Sequence, residues 1–116
     1  MDFAYSRLRE IKWLAVTAGE LYTNPTGSTS YVRLIAIHNT HSLSEAVTLY
    51  NVPDSSAATG TAATANQFYK ATVISNDTVF IEMPAPGFVL TGSRDTIQGV
   101  AHTGSKVTVQ IYGGTE

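Results

Sequence analysis

The chain has 116 residues, of which 43% are hydrophobic and only 14% charged, with no cysteine and a formal net charge of −2 at pH 7. This length suits one domain, because two halves of about 50 residues would each lie near the lower size limit for a self-sufficient core. The composition excludes disulfides and thiolate metal sites, predicts no general attraction to nucleic acid, and contains no run near the ~20 apolar residues of a membrane span.

The N-terminal segment, residues 1–14, fits neither the helical nor the strand period well. Its aromatic and basic side chains are interleaved, and the candidate partner contacts are Phe3, Tyr5, Arg7, Arg9 and Trp13. One interpretation is a first strand with a solvated lead-in. The other is an arm that reaches across a neighbouring subunit and adds main-chain hydrogen bonds to an open sheet edge. Because a secretion signal would be apolar here, we expect the protein to act where it is made.

Residues 15–116 show the period-two alternation of β-strands almost throughout. Turn signals containing Pro, Gly and Asn separate the apolar runs roughly every eight to twelve residues. Such a series of about seven or eight short strands predicts an all-β fold, a single-domain antiparallel β-sandwich of jelly-roll type.

Residues 31–39 stand out because they are apolar on both faces. Strict alternation places Val32 and Leu34 on one face and Ile35 on the other. A strand that is apolar on both sides is typical of the centre of a sheet, where it is covered above and below. We therefore predict that this strand is the best-buried element of the fold.

Residues 55–65 consist only of Ser, Ala, Thr and Gly. Strand alternation resumes directly after this stretch with the period it had before. We therefore predict a long flexible inter-strand loop within one domain and not a linker between two. Long connections of this kind are uncommon in compact domains and tend to be functional or mobile.

No catalytic, cofactor-binding or metal-binding constellation is predicted. The metal-ligating candidates are His38, His41 and His102. His38 and His41 lie three residues apart, but nothing marks the third ligand that a metal site would need beside this pair. Asp77, Glu82 and Asp95 are scattered over separate turns and strands. The chain contains no G-x-S-x-G elbow and no phosphate-cradling glycine motif. We expect a protein that is not an enzyme and needs no cofactor.

The order of several segments suggests a family. "GELYTNPTGSTSYVRLIAIHNT" is followed by "EAVTLYNVP" and later by "FVLTGSRDTIQG". This order resembles a group of small tailed-bacteriophage virion proteins with an "LYT-P-G" turn, an apolar strand ending in Asn-Thr, a strand ending "V-LY" and an "L-x-x-G-D-x-I" turn. The matching positions are 21–27, 32–40, 47–50 and 90–97. Arg94 lengthens the last motif by one residue, and the match covers most of residues 19–116.

The resemblance implies a structural component of the virion. We expect a decoration (cement) protein that binds the major capsid protein on the head, or another small part of the neck, tail or fibre. It would be assembled in the bacterial host cytoplasm and form a homo-oligomer on the particle, with neither nucleic acid nor membrane as a partner. A third interpretation is a carbohydrate- or receptor-binding module, because jelly rolls often bind sugars and an exposed Trp13 would stack on one.

Overall fold

The computed structural model describes residues 6–56 and 58–116, which form two antiparallel β-sheets. The strands are β1 (Ser6–Arg7), β2 (Lys12–Trp13), β3 (Gly19–Thr23), β4 (Ser30–Asn39), β5 (Glu45–Val52), β6 (Gln67–Val73), β7 (Thr78–Glu82), β8 (Phe88–Leu90), β9 (Thr96–Ala101) and β10 (Val107–Thr115). Among these residues the one helical element is a short 3₁₀ turn at Thr64–Asn66.

The two sheets pack as the layers of a sandwich. Sheet A has the order β1-β10-β4-β7, with β2 also paired to β10 and β8 also paired to β4. Sheet B has the order β3-β9-β5-β6. The all-β, antiparallel, single-domain sandwich predicted from the sequence is confirmed, and eight of its strands have three residues or more. The jelly-roll connectivity stays a prediction.

The core lies between the sheets and is built by alternating side chains. From β10, Val107, Val109 and Ile111 point inward, and from β5, Val47 and Leu49 point toward them. Each aliphatic side chain removed from water in this way contributes about 1.5–3 kcal/mol to folding. Burial of the alternating apolar side chains of both sheets therefore holds the two layers together.

The central position of β4 in its sheet is confirmed, but cover on both of its faces and strict alternation along it are wrong. Leu34 pairs with Tyr112 whereas Val32 pairs with Gly113, so two steps along β4 correspond to one step along β10 and the register shifts there. An extra residue of this kind moves every later side chain of the strand to the opposite face of the sheet from the one that strict alternation predicts. Val32 therefore joins Ile35 in the core, and Leu34 points outward.

Gly113 makes this irregularity possible. A Cβ atom at this position would overlap the carbonyl oxygen of Tyr31 and crowd the Cα atom of Val32. Only glycine lets the two backbones approach so closely. Glycine at position 113 is therefore a requirement of the central ladder.

The small-residue stretch lies in the connection between β5 and β6, which are neighbours in sheet B. Ser55 and Ala58 exchange two backbone hydrogen bonds, of 2.8 and 3.0 Å. Further along, the side-chain Nε2 of Gln98 donates to the carbonyl of Gly60 (3.1 Å). Gln98 faces outward from sheet B, so this connection folds back over part of that outer surface. The flexibility of residues 55–65 stays a prediction.

The facing of the side chains along β4 predicts opposite outcomes for two adjacent substitutions. Ile35→Asp places a carboxylate in the core, where the native side chain is 0% exposed, and we expect a loss of about 3–5 kcal/mol in unfolding free energy. Leu34→Asp faces outward and should cost no more than about 1 kcal/mol. Urea unfolding followed by circular dichroism measures both. Equal losses would contradict the assigned facing.

Candidate functional site

The outer face of sheet A carries a group of large, solvent-accessible side chains. Directly paired residues of an antiparallel ladder project to the same face, and Leu34 is paired with both Tyr112 and Glu82. We define the exposed sheet face by its largest side chains: Arg7, Trp13, Leu34, Phe80, Glu82 and Tyr112. Trp13 is 52% exposed and Phe80 64% exposed. These two aromatic rings are therefore mostly in contact with water in the isolated chain.

A shallow, open depression lies in the middle of the exposed sheet face. Its lining is mostly apolar, and the lining residues are Arg33, Leu34, Phe80, Glu82, Met83 and Tyr112. The Tyr112 hydroxyl donates to Oε1 of Gln110 (2.6 Å), which holds the ring along its own strand. The depression is partly open to solvent.

The predicted partner contacts are distributed over two different environments. Arg7 and Trp13 lie on the exposed sheet face, opposite Tyr112 and Thr108 of β10. Arg9 does not lie there, because its guanidinium is bonded to Glu20 of β3, which belongs to sheet B. Phe3 and Tyr5 lie outside the described residues.

The described part of the N-terminal segment runs along the edge of this chain's own sheet A. Between β1 and β2, the backbone N–H of Leu8 donates to the carbonyl of Ile111 (2.8 Å), and after β2 that of Leu14 donates to Val107 (2.8 Å). Leu14 is also buried in the core. Residues 6–14 thus take the place of a first strand. The arm interpretation, which depends equally on residues 1–5, stays a prediction.

Glu20 of β3 ties that edge to sheet B. Its Oε2 accepts hydrogen bonds from the Arg9 guanidinium (2.6 Å) and the Thr23 hydroxyl (2.6 Å), and its Oε1 lies 3.5 Å from Nζ of Lys12. Partial burial acts to raise the pKa of Glu20, but the bonds from Thr23 and Arg9 outweigh it and lower that pKa. Partly exposed ion pairs contribute little stability singly, so this cluster mainly orients the N-terminal segment.

His41 contacts the buried carboxylate of Glu45, and this contact has a structural role. His41 Nδ1 lies 2.9 Å from Oε2 of Glu45, and the backbone N–H of Thr103 donates to Oε1 of the same carboxylate (2.7 Å). Glu45 is 1% exposed. Burial acts to raise its pKa, but the hydrogen bonds from Thr103 and His41 dominate and lower the pKa of Glu45. This carboxylate joins the β4–β5 turn to the β9–β10 turn.

Among residues 6–56 and 58–116, no three His, Asp or Glu side chains are grouped closely enough to hold a metal ion. The same residues include no helix with the length and hydropathy needed to cross a bilayer. No family model, curated protein or solved structure matches this chain. The exposed sheet face is therefore the feature from which we infer a function.

Sequence reasoning identified part of this face. Alternation in β7 and β10 places Phe80 and Tyr112 on the polar sides of their strands, so both rings are predicted to point away from the core. Leu34 was missed, because the bulge that turns it outward has no signal within β4 itself. The position of Gly113 was the available clue, but its contact is made with a distant strand.

The Glu45 contact predicts a pH dependence of stability. Because the pKa of Glu45 in the folded chain lies below its ordinary value of 4.5, its ionised form stabilises the fold above that pH. This contribution is lost as the pH falls through the lowered pKa. Glu45→Gln should remove about 2 kcal/mol of unfolding free energy at pH 7 and flatten the profile in acid.

Urea unfolding between pH 3 and pH 7 checks this expectation. Glu10→Gln is the matched control, because the Glu10 side chain is 74% exposed and its removal should change stability little. If Glu45→Gln kept the acid slope of the parent chain, the assigned role of this carboxylate would be wrong.

Proposed function

We propose that this chain is a structural protein of a tailed-bacteriophage virion. In this proposal it is a capsid decoration protein that binds the assembled major capsid protein and stabilises the head. Two observations support it: the resemblance of residues 19–116 to small virion proteins, and the exposed sheet face. The exposed aromatic rings of Trp13 and Phe80 are the observation that carries most weight.

The composition of the exposed sheet face suits a protein partner. Scattered exposed apolar residues are ordinary, but an apolar cluster rimmed by polar groups marks an interaction site. Aromatic residues and arginine are enriched in protein interfaces and provide most of their hot spots. Here Leu34, Phe80 and Tyr112 provide apolar area around the depression, and Glu82 provides a polar group beside them. Trp13 adds a second exposed ring at the opposite edge of sheet A, on β2.

The physical task would be to bridge joints between capsid subunits. Burying one large aromatic side chain contributes a few kcal/mol, which is modest for a single contact. On a closed shell the same contact is repeated at every equivalent site, and linked contacts strengthen one another. A small domain with a low density of charge can therefore stiffen a large particle without any chemical step.

Sedimentation with capsids tests this function. Purified chain is mixed with expanded, undecorated capsids of the phage that encodes it and then centrifuged. Saturable co-sedimentation at a level set by the capsid lattice is the expected result. Absence of binding, with a few copies per mature virion, would replace the proposal by a neck, tail or fibre position. Specific binding on a glycan array without capsid binding would replace it by a carbohydrate-binding function.

Trp13→Ala is expected to weaken capsid binding by about tenfold or more, because an aromatic residue that acts as an interface hot spot typically contributes at least 2 kcal/mol. Its melting temperature should be almost unchanged, since the ring is 52% exposed. The matched control is Leu43→Ala, because Leu43 is 64% exposed but lies in the β4–β5 turn, away from the exposed sheet face. Equal weakening by both variants would contradict binding through this face.

A further inference from the structure

Among the strand edges in the described part of the molecule, β7 has the least protection against pairing with another chain. Natural edges are protected by bulges, charged residues, proline or very short strands. The edge strand β3 has a bulge, and β6 has a bulge and an exposed Lys70. β1 and β2 have two residues each, and β8 has three. β7 instead has five residues, pairs with β4 in unbroken register and contains no lysine, arginine or proline. Its one charged residue, Glu82, is the last of the strand.

Within the described part of the chain, the backbone groups of β7 that point away from β4 can be assigned from its ladder with that strand. Met83 N–H donates to the carbonyl of Arg33 (2.9 Å), so the ladder bonds toward β4 fall at Val79 and Ile81. In an antiparallel strand the residues between these direct their N–H and C=O groups to the other side. The outward-directed residues are Thr78, Phe80 and Glu82.

We propose that β7 pairs with β7 of a second copy of this chain, antiparallel and centred on Phe80. The two Phe80 residues then lie opposite each other on a twofold axis, and Thr78 lies opposite Glu82 of the second copy. All the outward-directed backbone groups of both strands find partners in this register, because each residue pair exchanges two N–H···O=C bonds. Sheet A continues from one copy into the next, through an isologous interface.

The side chains favour the same register. Phe80 is 64% exposed in the isolated chain, and its counterpart across the axis would cover it as a cross-strand aromatic pair. Thr78 is already bonded to His38 (Oγ1 to Nδ1, 2.8 Å), so Glu82 of the second copy joins a polar row. No two like charges stand opposite each other. A second copy therefore meets this edge with an apolar contact at Phe80 and without charge repulsion.

The size of the contact predicts weak association of the free protein. A five-residue edge covers less surface than the ~800 Å² per partner of a standard interface. Dimers should consequently form only at high protein concentration in solution. On a particle that holds many copies close together, the effective concentration would be far higher. The inference goes beyond the proposed function and is tested without capsids, so either can fail alone.

Sedimentation equilibrium of the full chain up to about 1 mM tests the pairing, over a range in which weak interfaces are still populated. We expect a reversible dimer. Phe80→Lys places two ammonium groups opposite each other and should raise the dissociation constant by about tenfold or more. The control Leu43→Lys changes an equally exposed side chain, 64% in both cases, and should dimerise like the parent chain.

Cross-linking tests the register and does not depend on the folding of Phe80→Lys. The chain has no cysteine, so Thr78→Cys and Glu82→Cys each introduce a single thiol. A short bifunctional thiol reagent should link the two variants when mixed. Neither variant should link to itself, since like residues would be about 13 Å apart along the strands.

Three results would overturn the proposal: a parent chain that stays monomeric at about 1 mM, dimerisation unaffected by Phe80→Lys, or cross-linking that is no better in the mixture than in either variant alone. The last result would also be obtained if the edge served a strand of a different protein.

Discussion

The ladder between β4 and β10, with its single irregularity at Gly113, is the constraint on which the rest of the structure depends. It is the longest pairing in sheet A, and it supports the N-terminal segment on one side and β7 and β8 on the other. Its bulge decides which apolar side chains of β4 enter the core. Because Leu34 is turned outward opposite Tyr112, the same irregularity that completes the core also creates the apolar centre of the exposed sheet face.

Both functional inferences derive from that central ladder, although they concern different surfaces. The exposed sheet face is the outer side of sheet A, where Trp13 and Phe80 offer large rings to a partner. The edge of β7 offers backbone N–H and C=O groups, which point outward in the plane of the sheet. Phe80 belongs to both, so self-pairing along β7 would place two exposed sheet faces side by side. Such a doubled surface would cover a capsid joint more widely than one copy.

The sequence predicted the parts of the fold that depend on local pattern. Period-two alternation is a local property, so the all-β class and the central position of β4 were accessible from it. Contacts between distant segments were not. The need for Gly113 comes from the carbonyl of Tyr31, far away in the chain, and the pairing of Arg9 with Glu20 depends on how the sheet edges meet. The sequence therefore predicted which side chains of single strands point outward, but it did not predict that these side chains form one surface.

The central claim is that the outer side of sheet A is the surface with which this chain meets the virion. An electron-microscopy map of the assembled head, at a resolution that separates strands, tests it most directly. The account predicts density for the sandwich on the head with Trp13 and Tyr112 directed at the shell. A sandwich that contacts the shell through the outer side of sheet B, under the β5–β6 connection, would contradict it, as would a head without this chain.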